Sequence, residues 1–80
     1  MEQDLINREM SNIFDQYFHR LPERNRRFIE MYYGFYGEEL TLKSISVAEG
    51  ISITRVRQII KRGESRLLQM LLAVVENQNV

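Results

Sequence analysis

Cysteine is absent from the 80-residue sequence, which removes any disulfide framework or thiolate metal site and makes a reducing cytoplasm the expected setting. Long hydrophobic runs are absent as well. The longest, Leu71-Leu72-Ala73-Val74-Val75, is far shorter than the ~20 residues that cross a bilayer, so no membrane partner is expected. The opening MEQDLINREM has neither a basic segment nor an apolar run, and no signal peptide is read there. Histidine occurs once. With no cysteine or clustered carboxylates near it, His19 reads as a residue at a helix end and not as a metal ligand. No carboxylate pair, nucleophile–base set or glycine-rich phosphate loop stands out, so no enzyme, cofactor or metal is expected.

A net charge is also missing, since 11 basic residues balance 11 acidic ones. For a nucleic-acid partner that balance counts weakly against. Its distribution matters more. Residues 52–66 carry Arg55, Arg57, Lys61, Arg62 and Arg66 against Glu64, a net of +4. Residues 1–20 carry Glu2, Asp4, Glu9 and Asp15 against Arg8 and Arg20, a net of −2. The segregation predicts a basic face and an acidic end, where a uniformly solvated surface would mix the signs.

What is present is enough apolar content, 44%, for a folded chain, and a length that allows one small domain over 1–80. Its periodicity is helical throughout. Leu5, Ile6, Met10, Ile13, Phe14, Tyr17 and Phe18 recur at steps of three and four and predict an amphipathic helix within 1–20. Leu21-Pro22-Glu23-Arg24 opens the next segment, 21–40. Proline suits the first helical position, and Glu23 suits the positive end of the helix dipole. That helix is predicted to reach about Tyr33, to bury Phe28, Ile29 and Met31 or Tyr32, to expose Arg24, Arg26 and Arg27, and to stop at Gly34. Four aromatics within 32–36 offer either stacking for bases or cover for the helix junction. The scarcity of other large side chains favours cover.

Residues 41–62 read as a helix-turn-helix. Thr41 can cap the first helix, Gly50 can take the positive φ of the turn, and Ser52 can cap the second helix. Ile45, Ile51, Val56 and Ile59 stand at spacings that pack two short helices across a turn. The last helix is predicted from about Ser52 to about Glu76. Val56, Ile59, Ile60, Gly63, Leu67, Met70, Leu71 and Val74 share its inner face, and Thr54, Arg57, Gln58 and Lys61 lie opposite. Within 63–80 the outer face turns apolar at Leu68, Leu72 and Val75. A helix apolar nearly all round is normally covered on both sides, and a two-fold homodimer through Leu68, Leu72 and Val75 is the simplest cover. The predicted architecture is therefore all-α, a small domain of about four helices with a helix-turn-helix and an extended last helix.

From Leu21 onward the sequence resembles region 4 of the sigma-70 family. The resemblance rests on Leu21-Pro22-Glu23-Arg24, on Tyr33-Gly34-Phe35 followed by Gly37-Glu38-Glu39, on Leu40-Thr41-Leu42, and on Arg55-Val56-Arg57-Gln58-Ile59, and it covers about residues 20–67. It is nearest to primary, housekeeping-type sigma factors. These are several times longer, so the resemblance implies a freestanding region 4 without the −10-reading, core-clamping part. It implies double-stranded promoter DNA as a partner, with the recognition helix in the major groove and Ser52, Thr54, Arg55, Arg57, Gln58, Lys61 and Arg62 as DNA-binding residues. It also implies docking of the preceding helices on the flap of the RNA polymerase β subunit, through a groove near Phe28, Ile29 and Tyr32.

Three positions depart from the family. Ile53 and Thr54 stand where arginine and glutamate are usual. Glu49 stands where an apolar residue is usual, and a buried glutamate without a partner would loosen the helix-turn-helix. Ile53, Thr54 and the zero net charge favour an alternative function: a protein-interaction module, an anti-sigma or co-regulator, that imitates region 4 to occupy polymerase or a sigma factor without reading DNA.

Overall fold

The protein is described by a computed structural model that places residues 12–78. The described chain is all-α: helix α1 covers residues 12–18, α2 is Glu23–Tyr33, α3 is Leu42–Glu49, and α4 is Ile53–Gln78. Of the apolar stripe predicted for the first helix, Leu5, Ile6 and Met10 lie outside the described residues. Phe14, Tyr17 and Phe18 pack on the core, with the Phe14 and Phe18 rings stacked 5.4 Å apart, while Ile13 is half-buried without joining it. His19 closes α1 as expected. Its N–H donates to the Asp15 carbonyl at 3.1 Å, and its Nδ1 lies 2.9 Å from the same oxygen.

Pro22 sits one residue earlier than predicted. It is the cap of α2 with φ −53° and ψ 142°, and the helix begins at Glu23. The ring fixes φ at a helical value but leaves ψ extended, so the Pro22 carbonyl becomes the first acceptor, taking the Arg26 N–H at 3.0 Å.

Helices α2 and α3 end in the same way. Gly34 and Gly50 both adopt φ 69°, and the amide one residue beyond each bonds back into the helix. Phe35 N–H reaches the Glu30 carbonyl at 3.0 Å, and Ile51 N–H reaches the Ser46 carbonyl at 3.2 Å. These are Schellman closures, with an apolar residue following each glycine. Of the aromatics in 32–36, Tyr32 packs against the core. Phe35 rests 5.2 Å from the Phe18 ring and 6.3 Å from the Phe14 ring but stays 42% exposed, and Tyr33 is 48% exposed, so the expected cover is only partial. Tyr36 adds none. The turn closed by Gly37 N–H to the Gly34 carbonyl leaves its ring 84% exposed.

The core is a single cluster of Phe18, Leu21, Phe28, Ile29, Ile45, Val56, Ile59, Ile60 and Leu67, each burial contributing about 1.5–3 kcal/mol. Helix α4 supplies four of these, at the positions the 100° periodicity put on its inner face. Helix α2 crosses it at Gly63, which is buried. A Cβ built on Gly63 would come within 2.7 Å of Ile29 Cδ1 and 3.1 Å of Asn25 Cβ. Glycine there lets the two backbones approach, and Asn25 Nδ2 uses the proximity to donate to the Ile59 carbonyl at 2.8 Å. The crossing thus fixes both the distance between α2 and α4 and the rotation of α4.

Gly63→Val should therefore overpack this crossing and cost about 1–3 kcal/mol. Thermal unfolding followed by circular dichroism should show a fall of several degrees, at about 4–8 °C per kcal/mol for a domain of this size. An unchanged midpoint would mean that the helices do not meet at Gly63.

Candidate nucleic-acid interface

The interface is assembled from two caps and one turn. Thr41 Oγ1 accepts the Ser44 N–H at 3.0 Å and starts α3. Gly50 reverses the chain, and Ser46 Oγ–H donates to the Ile51 carbonyl across the turn. Ser52 Oγ accepts the Arg55 N–H at 3.0 Å and starts α4. The expected looseness around Glu49 does not appear. Its Oε1 lies 2.8 Å from Arg27 Nη2, so a cation from α2 meets the carboxylate at the end of α3. The pair is partly exposed and contributes at most about 1 kcal/mol, but it relieves Glu49 of an uncompensated burial.

Burial of Ile45, Val56, Ile59 and Ile60 sets which side of α4 faces out. Thr54, Arg57, Gln58 and Lys61 are all exposed, on the side opposite the core, as the sequence predicted. Ser52 is exposed too, with its oxygen committed to the cap and its proton left for an outside acceptor. Arg55 and Arg62 take a different direction. They line a cleft of ≈ 490 Å³ between α4 and the start of α2, together with Pro22, Arg24, Asn25, Arg66 and Gln69. Four guanidinium groups surround this cleft, and no carboxylate is among its lining residues. Such a lining suits phosphate oxygens, which guanidinium meets with two parallel N–H groups.

Arg24 and Arg66 were not among the residues the sequence suggested for DNA. Arg24 is 42 positions from Arg66, and only the α2–α4 crossing brings them together. One signal was legible: Arg55, Arg62 and Arg66 follow steps of seven and four, which place them on one helical face.

The docking residues predicted on α2 need correction. Phe28 is 0% exposed and Ile29 is 3% exposed, so neither can present a surface to a partner. They are core, because α2 has one apolar face and α4 already occupies it. Tyr32 is half-buried and packed against the same cluster, with its ring edge-on to Tyr33 at 5.0 Å. An open apolar groove of ≈ 640 Å³ lies elsewhere, between α1, the end of α2 and α4. Phe14, Tyr33, Phe35, Leu67, Leu68 and Leu71 give it apolar walls, Ile29 contributes at its floor, and Lys61, Glu64 and Ser65 stand at the α4 side. Tyr33 at this groove has its phenol held above its ordinary value, first by partial removal from water and then by the charge of the neighbouring Glu64 carboxylate. Further along α4, Leu68, Leu72 and Val75 are 57%, 50% and 51% exposed, as the sequence predicted.

Among the described residues no cluster of His, Cys, Asp or Glu could hold a metal ion, and no helix is long and apolar enough to cross a membrane. A family model described as Sigma-70, region 4, matches residues 17–68. No curated protein and no solved structure matches the chain.

If the cleft takes phosphate, Arg24→Ala and Arg66→Ala should each weaken binding to every duplex alike. Each should also lower the slope of log affinity against log salt by about one unit. Fluorescence anisotropy over a salt series checks this, and an unchanged slope in both variants would remove the cleft from the interface.

Proposed function

The chain belongs to the sigma-70 region 4 family, and from that premise we propose that its DNA-binding helix-turn-helix region reads promoter DNA. The start of α4 enters the major groove, with Arg57 and Gln58 at base edges and Lys61 beside them. Arginine suits guanine, and glutamine suits adenine. Ser52, Arg55 and Arg62 contact the backbone, and Arg24 and Arg66 extend that contact through the cleft. The observation that carries this reading is the division of cations on α4. Arg57 stands on the open outer face, Arg55, Arg62 and Arg66 turn into a cleft shared with α2, and Lys61 stands between the two at the edge of the cleft. The chain acts as a binding protein and not as an enzyme, in the cytoplasm, on nucleoid DNA.

Docking on the β-subunit flap of RNA polymerase is the second part of the reading. We assign it to the groove of Phe14, Tyr33, Phe35, Leu68 and Leu71, since that is the apolar surface left open beside α1 and α2. The alternative, an anti-sigma or co-regulator that binds polymerase or a sigma factor without reading DNA, is favoured by one observation: Ile53, at the start of α4, offers no hydrogen bond to a base. Both versions use the groove, and they part at DNA. The exposed stripe of Leu68, Leu72 and Val75 has the alternating spacing of four and three that forms a helix–helix seam, which supports a two-fold homodimer in the free protein.

Arg57→Ala should cost about 1–3 kcal/mol on a selected site and relax preference at one base pair. Lys61→Ala should weaken all sequences equally. If wild-type protein binds core polymerase yet shows no salt-dependent affinity for any promoter-like duplex, the alternative replaces the first reading. Sedimentation equilibrium at high micromolar concentration should return twice the 9.6 kDa chain mass, and Leu68→Glu/Leu72→Glu should restore a single chain. A wild-type monomer under those conditions removes the dimer.

A further inference from the structure

Ile53 is the first residue of α4, and it is 40% exposed. Ile29, Ile45, Ile59 and Ile60 are buried, and Ile51 packs against the core. Ile53 is neither in the core cluster nor among the apolar residues packed against it. The Ser52 cap fixes its place, because it defines where the helix begins and so which residues make its leading turn. Side chains on a helix lean toward its N-terminus, so Ile53 and the adjacent Thr54 project past the helix start. One turn later, four positions on from each, come Arg57 and Gln58, both exposed.

In a helix-turn-helix the N-terminal residues of the recognition helix are the ones that meet base edges. An isoleucine there can neither donate nor accept. Set against guanine, adenine or cytosine it would take water from polar groups and return no hydrogen bond, which costs binding. Thymine is the exception, because its C5-methyl group projects into the major groove and gains from apolar contact. The Thr54 side chain adds a second methyl beside the first.

We propose that Ile53, flanked by the Thr54 methyl, is a specificity-determining residue that recognises the C5-methyl of one thymine facing the leading turn of α4. The proposal rests on the reading that α4 enters the major groove. It turns the polar-to-apolar change at this position from a loss of base reading into a change of the base read.

The test begins with selection of a bound duplex from a random pool by the wild-type protein. Each thymine of that site is then replaced singly by 2′-deoxyuridine, which pairs identically and lacks only the methyl. One position should lose affinity by about fourfold, the amount expected for exposing one methyl-sized group. Ile53→Ala, shown folded by circular dichroism, should distinguish the thymine and deoxyuridine forms by less than about twofold, since only the small Ala and Thr54 methyls remain. Ile53→Val, which keeps a branched apolar surface, should retain a reduced preference. The proposal is overturned if deoxyuridine is tolerated within twofold at every position, or if Ile53→Ala keeps the full penalty. Failure to select any duplex with salt-dependent affinity overturns the groove-binding reading together with it, so the two failures are distinguishable.

Discussion

The approach of α2 to α4 at Gly63 is the contact on which the other features depend. Two side chains meet the bare Gly63 backbone there, Ile29 and Asn25. Asn25 and Ile29 are one turn apart on α2 and straddle the glycine. Apolar packing sets the distance, and the hydrogen bond from Asn25 to the Ile59 carbonyl sets the register. Because α4 is one continuous helix, fixing its rotation at Ile59–Gly63 fixes the direction of the residues that lead and follow it along α4. The outer face at Thr54, Arg57, Gln58 and Lys61 and the cleft residues Arg55, Arg62 and Arg66 are consequences of that one constraint.

Helices α2 and α3 are both closed by ordinary backbone chemistry. Gly34 and Gly50 carry the same left-handed closure, and each is followed by an apolar residue, Phe35 beside the Phe18 ring and Ile51 packed on the core. The two differ in what surrounds them. At Gly34 a Cβ would strike the Gly37 carbonyl at 2.8 Å, whereas at Gly50 nothing lies near and only the backbone angle demands glycine. Arg27 reaches from α2 to Glu49, so the last residue of α3 is held by charge.

Much of this was legible in the sequence because it depends on local rules. The caps at Thr41 and Ser52, the closures at Gly34 and Gly50, and the inner face of α4 follow from residue type and the 3.6-residue period, and the structure bears them out. What was not legible depends on which faces meet. Periodicity marks Phe28 and Ile29 as one side of a helix, but it does not say whether that side is covered. The α2–α4 crossing covers it, and the open groove forms where Phe35 and Phe14 lean over α4 instead. The same limit hid Arg24, whose neighbours in the cleft come from the other end of the chain. Glu49 looked unpartnered for the same reason, since Arg27 is 22 residues away in sequence and 2.8 Å away in space.

Zero net charge is compatible with a phosphate-binding surface once the field is considered locally. Exposed charges farther apart than about 8–10 Å are largely screened at ordinary ionic strength, so the charges close to a surface weigh more than the total. Glu2, Asp4 and Glu9 of the predicted acidic end lie outside the described residues. Guanidinium groups lining one cleft of ≈ 490 Å³ act together at short range. Lys61 and Ser65 border both this cleft and the apolar groove, so on α4 they form the ridge between a cationic side and an apolar side. A ligand on one side need not displace a ligand on the other. That arrangement lets a domain of one core present two unlike surfaces at once, and it explains why the long last helix can be polar early, apolar late, and still be one element.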